Sequence, residues 1–209
     1  AVRRATGQNA ERGAVSGNGP YLPGQGDAEA LARRLGGRGP TVLFVGRRPE
    51  SKGYPLVLEA MARVFAARPD ARLIVLAPTD DPDGAPAAAD PRVHVLSGVS
   101  EADKDAAYQL ATVLALPSAA EAFGMAVVEA WSHGVPAVVN DIRTLREGVT
   151  YAGGGRVVTR DAARLAEALL ELLSDEELAR RLGEAGRAQV QSRYRWEVIG
   201  EQTEALYEA

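Results

Sequence analysis

The sequence predicts an α/β domain of the doubly wound kind, with helices on both faces of a roughly six-stranded parallel sheet. Three observations lead there: short apolar runs alternate with helical patterns, the runs are rich in β-branched residues, and they show little polar alternation. Strands buried on both faces read this way because neither face meets water.

Residues 1–25 mix Gly, Pro, Asn and charge and supply no apolar face, so they read as a linker-like lead-in to a domain spanning 26–209. A short helix follows at about Asp27–Leu35. The strands are TVLFV (41–45), RLIVLA (72–77), RVHVL (92–96), TVLAL (112–116), PAVVN (136–140) and GRVVT (155–159). Val57, Met61, Val64 and Phe65 recur at helical spacing after the first strand, and Leu165, Leu169, Leu172 and Leu173 do so after the last. A further helix runs from about Met125 to His133, and from Asp175 the pattern is helical and polar, two helices broken near Tyr194–Trp196. A parallel sheet of this kind takes ligands at the carboxyl ends of its strands, near the point where strand order reverses. The loops after Val45, Leu96, Leu116 and Asn140 are therefore the ones to inspect.

The bulk numbers narrow the ligand. With 209 residues, 46% hydrophobic and 25% charged, the chain buries one core. A net charge of -4 and a pI near 5.4 supply no general attraction to nucleic acid or anionic lipid, so any phosphate must be held locally. Cysteine is absent, which fits a reducing compartment. No apolar run reaches the roughly 20 residues of a membrane span. The expectation is a cytoplasmic protein with no transmembrane segment, membrane-peripheral attachment being left open for a full-length form.

Two constellations carry chemistry. In VLFVGRRPESKGY the first strand exits at Gly46, followed by Arg47 and then Lys52 and Gly53 at a helix start. A guanidinium, an ammonium and a helix N-terminus together suit a diphosphate. The spacing is neither a Walker loop nor a dinucleotide fingerprint. Solvated loop charges balanced by Glu50 are the plainer alternative.

The second, LPSAAEAFGMAVVEAWSHGVPAVVN, presents Glu121, Phe123 and Gly124 just before the helix and Glu129 inside it, with seven residues between the acids. Their carboxylates should lie ~10 Å apart, too far for a glycosidase dyad. Two acids at that range suit hydroxyl pairs on two sugars of one ligand, while the N–H groups of Phe123, Gly124 and Met125 can take sugar or phosphate oxygens. Acids that merely favour a helix start and a solvent face are the alternative. The apolar neighbours of Glu129 weigh against that, since a lone carboxylate there needs a partner.

GRRPESKG, then EAFGMAVVEA, then HGVPAVVNDI resembles the C-terminal, donor-binding domain of the family-4 retaining glycosyltransferases of the two-Rossmann, B-type fold, from about Thr41 to Trp196. The resemblance implies a Rossmann-like domain and a metal-independent transferase whose substrate is a nucleoside-diphosphate sugar, with no further cofactor. It implies that Gly46, Arg47 and Lys52 hold the donor diphosphate, that Glu121 holds hydroxyls of the transferred sugar, and that Glu129 anchors the ribose. Arg47, Lys52 and Glu121 form the set nearest the reacting bond, Phe123, Gly124 and Met125 supply backbone donors, and Val99 and Ser100 frame the base. The N-terminal acceptor half and its histidine are absent from this sequence, so the half alone is expected to bind without turnover. DIRTL lacks the glycine pair common after the fifth strand. A non-catalytic sugar-nucleotide module, a subunit of a split transferase, a B-type epimerase or phosphorylase, and more distantly a nicotinamide dehydrogenase are the alternatives.

Other signals read as structural. Asp80, Asp81 and Asp83 sit in a Pro- and Ala-rich loop, a poor metal cage. His94 is a strand histidine, His133 a helix-end cap, and Trp131 and Trp196 packing residues.

Overall fold

The computed structural model describes residues 24, 26–47, 50–78 and 90–207. The lead-in, apart from Gly24, and the Asp80–Asp83 loop lie outside the described residues. Six strands form one parallel sheet: β1 (Thr41–Val45), β2 (Arg72–Ala77), β3 (Val93–Ser97), β4 (Val113–Leu116), β5 (Ala137–Asn140) and β6 (Gly155–Val158). Their order is β3-β2-β1-β4-β5-β6, so the direction of winding reverses between β1 and β4. Eight α-helices are present among the described residues: α1 (Ala28–Arg34), α2 (Tyr54–Ala67), α3 (Glu101–Leu110), α4 (Met125–Ser132), α5 (Arg143–Ala152), α6 (Ala162–Ser174), α7 (Glu176–Arg193) and α8 (Trp196–Tyr207).

The strand pattern follows from burial on both faces. Val42 and Phe44 of β1, with Leu73 and Val75 of β2, point into one core closed by α2 and α6. Leu43, Ile74, Leu114 and Leu116 point into the other, closed by α1, α3, α4 and α5. Two-sided burial holds for β1, β2, β4 and β5, whereas β3 and β6 are half-buried. Those two are the sheet edges, so the expectation of full burial is corrected for RVHVL and GRVVT; His94 is an edge residue, and burial followed by nearby Arg72 lowers its pKa. Strand and helix bounds otherwise fall within one residue of those expected. The exceptions are α3 and α5, to which the sequence pattern assigns no element. Trp196 is a correction too: it is 58% exposed rather than packed, whereas Trp131 is buried and donates its indole N–H to the Gly154 carbonyl at 2.8 Å.

Close backbone approach requires glycine where α7 crosses α4. A Cβ at Gly183 would lie 1.8 Å from the Gly134 carbonyl oxygen, and one at Gly186 would lie 2.2 Å from the Trp131 ring. No helix among the described residues is long and apolar enough to cross a membrane.

Candidate functional site

The reversal of winding opens the carboxyl edge of the sheet between β1 and β4, and both sequence constellations leave the sheet there. Their loops are joined. Ala119 N–H donates to the Ser51 carbonyl at 2.8 Å, and a Cβ on Gly53 would lie 2.6 Å from the Pro117 carbonyl oxygen. Gly53 also has φ +82, a left-handed conformation that glycine adopts without strain. Arg160, beyond β6, donates to the Pro117 carbonyl at 3.4 Å and also to the Glu50 carbonyl, tying the two loops from a third side.

This junction brings the Lys52 ammonium to 2.8 Å from Glu121 Oε1. Ser118, fully buried, donates to the same oxygen at 2.9 Å, and the buried Asn140 amide donates to the Ser118 carbonyl at 3.0 Å. Lys52 and Glu121, 69 positions apart, are thus one cluster. Arg47 is exposed on the same loop, directly after Gly46.

Charge is reinforced by helix ends. Asp27, Ser100, Asp161 and Asp175 cap α1, α3, α6 and α7 with their own side chains. No side chain caps α2, α4 or α5, the helices that follow β1, β4 and β5. The N-caps of α2 and α4 are left-handed glycines, Gly53 and Gly124, which have no side chain to spend on the helix ends. Such ends favour anions.

Glu129 meets the partner its apolar surroundings demand. Its side chain is 12% exposed; Oε1 accepts from the Lys104 ammonium at 2.7 Å and Oε2 from the Tyr108 hydroxyl at 2.7 Å. Burial, with the Glu129 charge behind it, pushes the Tyr108 phenol well above its ordinary pKa, so it remains a donor. Below this pair, His133 Nε2 lies 2.6 Å from the Asp105 carboxylate and Nδ1 2.8 Å from the Glu129 carbonyl. Burial works to raise the Asp105 carboxyl, but hydrogen bonds from His133, Gly26, Gln109 and Gly24 outweigh it and hold the group at about 2. His133 is a helix-end residue as expected, but it also joins α4 to α3.

The remaining expected residues fall as follows. Ser100 uses its hydroxyl to cap α3, accepting from Asp103 N–H at 3.1 Å, and Val99 packs on the core. Ser100, the N-cap of α3, lies one helical turn before Lys104. Met125 opens α4. The Phe123 ring turns away, edge-on to Tyr194 at 5.6 Å, and lines a cavity of about 540 Å3 between α4 and α5 with Val127, Leu145 and Val149. Residues that sequence reasoning missed are Lys104, Asp105, Tyr108, Ser118, Asn140 and Arg160. The usable signal for Lys104 and Tyr108 was their i, i+4 spacing beside a glutamate that lacked any local counter-charge.

Fold and site together define a Rossmann-like α/β domain of the class that seats its ligand at a strand-order switch point. The chain matches the family model described as "Glycosyl transferases group 1" over residues 28–189, and it belongs to that family. It is 35% identical to a phosphatidyl-myo-inositol mannosyltransferase of Mycobacterium leprae, covering 81% of this chain and 46% of the relative. It is 32% identical to a D-inositol 3-phosphate glycosyltransferase of Segniliparus rotundus, covering 91% of this chain and 44% of the relative. Among solved structures it resembles sucrose-phosphate synthase of Thermosynechococcus elongatus, with 29% identity and a TM-score of 0.74 over 90% of this chain and 49% of the other. The fold is also that of Anabaena HepE in complex with UDP, with 23% identity and a TM-score of 0.82 over 99% of this chain and 60% of the other. The chain spans about half the length of the curated relatives it matches.

Proposed function

We propose that this domain binds the nucleoside-diphosphate sugar donor of a glycosyl transfer that retains configuration and needs no metal. The observation that carries the reading is the junction of the two loops at the switch point. It sets Lys52 beside Glu121 at 2.8 Å, next to two helix ends that no side chain caps. Arg47, Lys52 and those helix ends supply the positive charge on which a departing diphosphate relies. In that role Lys52 exchanges its Glu121 contact for a phosphate oxygen, and Glu121, still held by Ser118, accepts from hydroxyls of the transferred sugar. Glu129 accepts from the ribose hydroxyls, and Val99 and Ser100 border the base. Phe123, Gly124 and Met125 contribute backbone N–H groups.

Because the matched relatives are about twice as long, the 209-residue chain is proposed to bind donor without transferring sugar by itself. One relative, from Corynebacterium glutamicum and 30% identical, is named as GDP-mannose-dependent, which favours GDP-mannose as the donor. Calorimetry against GDP-, UDP- and ADP-sugars, with and without a chelator, tests the reading. Binding of at least one donor, unaffected by the chelator and weakened roughly tenfold or more by Glu129→Ala, is expected, since a charged hydrogen bond is worth about 1.5–3 kcal/mol. Failure of every donor to bind, or an unchanged affinity in Glu129→Ala, overturns it.

A further inference from the structure

Resting on the reading of Glu129 as the ribose carboxylate, we propose that Tyr108 is a positioning residue for the nucleotide: its buried hydroxyl aims Glu129 at the ligand. Lys104 on the other oxygen is then the exchangeable partner.

The geometry is a closed frame between two helices. On α3, Asp105 and Tyr108 are three positions apart, and Glu129 on α4 and His133 at its C-cap are four apart, so each pair lies on one helix face. Tyr108 bonds Glu129 at 2.7 Å and Asp105 meets His133 at 2.6 Å. Between these rungs the phenol and imidazole rings stack, with centroids 5.1 Å apart and planes 18° from parallel. His133 is itself fixed to the Glu129 carbonyl at 2.8 Å. The frame is also tied to the chain entering the domain, because Asp105 accepts from Gly26 N–H at 2.7 Å.

The two donors on Glu129 differ in freedom. Tyr108 is 1% exposed, its ring is clamped, and its other oxygen contact, the Ala126 carbonyl, is 3.5 Å away; its single proton goes to Glu129. Lys104 carries a flexible stem and a side chain 24% exposed. A carboxylate offers about four acceptor directions. With one taken permanently from beneath by Tyr108, the carboxylate is held in one orientation before any ligand arrives, and a ribose diol can displace or share with Lys104. Freezing the carboxylate in advance removes an ordering cost from binding, a factor of about 3–10 in affinity.

Tyr108→Phe deletes one oxygen and keeps the stacked ring. The test is calorimetry on the full chain with GDP and UDP, each beside its 2′,3′-dideoxy counterpart, in wild type, Tyr108→Phe, Glu129→Ala and the double variant. Tyr108→Phe is expected to weaken the ribose nucleotide about 3–10-fold, leave the dideoxy nucleotide unchanged, and add nothing to Glu129→Ala. Equal losses for ribose and dideoxy forms, no loss, or losses that multiply with Glu129→Ala overturn the proposal while leaving the ribose reading standing. An inert Glu129→Ala, or no nucleotide binding in wild type, removes that reading and this inference with it. Thermal melting checks that Tyr108→Phe folds. His133→Gln, which removes the stack, is the second variant, with the same ribose-dependent pattern expected at smaller size and a ribose-independent loss counting against the proposal.

Discussion

Replacing Lys52 by alanine separates a phosphate ligand from a structural ion pair. Lys52 pairs with Glu121 at 2.8 Å, with the two side chains 35% and 15% exposed. A pair that open to water is worth about 0–1 kcal/mol, and Glu121 keeps the Ser118 hydroxyl at 2.9 Å after Lys52 is gone. Lys52→Ala should therefore cost the fold no more than about 1 kcal/mol, a fall in Tm of roughly 2–4 °C for a chain of this size. On a diphosphate the same ammonium makes a charged hydrogen bond of about 1.5–3 kcal/mol. Subtracting the Glu121 contact that it gives up leaves about 0.5–3 kcal/mol, or roughly 2–150-fold in affinity. The assay is calorimetry of GDP beside guanosine at two salt concentrations. GDP binding should weaken by that factor and lose part of its salt dependence, while guanosine binding stays as in wild type. An affinity for GDP within twofold of wild type, or an equal loss for guanosine, refutes the assignment of Lys52 to phosphate.

Three further outcomes follow from the packing and the charges. Gly186→Ala should destabilise, because a Cβ 2.2 Å from the buried Trp131 ring costs about 1–3 kcal/mol or more, outweighing the ~1 kcal/mol helix-propensity gain; a Tm equal to or above wild type contradicts this. Gly200→Ala in α8, whose Cβ meets nothing within 4 Å, should raise Tm or leave it unchanged, and a clear fall would show unsuspected packing there. Asp105 is held at about 2, below the ordinary aspartate value of 3.8, so it adds stability that is fully present above pH 3.8 and is lost as pH falls through 2. Asp90, held at about 2 mainly by hydrogen bonds from Arg92, titrates in the same window. Urea unfolding from pH 5 to pH 2 should therefore be less pH-dependent in Asp105→Asn than in wild type, with identical slopes ruling out the Asp105 contribution.

The fold was legible because two-sided burial writes itself into β1, β2, β4 and β5 as unbroken apolar runs. The edges β3 and β6 keep the run but not the burial, since nothing in RVHVL or GRVVT records the absence of a neighbouring strand. Helix α5 was invisible because only Leu145 and Val149 are buried in it, too few for a period. Helix α3 hides its buried Ala106, Ala107 and Tyr108 behind charges. At the site, Lys52 and Glu121 were both identified from local sequence, and the strand order explains their meeting: their strands flank the reversal. The frame around Glu129 was not legible, because Lys104, Asp105 and Tyr108 reach α4 across 21 to 28 positions and each reads locally as an ordinary residue of a polar helix.

A crystal structure of the chain with GDP bound addresses the central claim most directly. Lys52 should have left Glu121 for a phosphate oxygen, with the diphosphate over the start of α4, the ribose hydroxyls on Glu129, and the Tyr108 hydroxyl still on Glu129 Oε2. A nucleotide seated elsewhere, for instance in the cavity beside Phe123, with the Lys52–Glu121 and Lys104–Glu129 pairs intact, would contradict it.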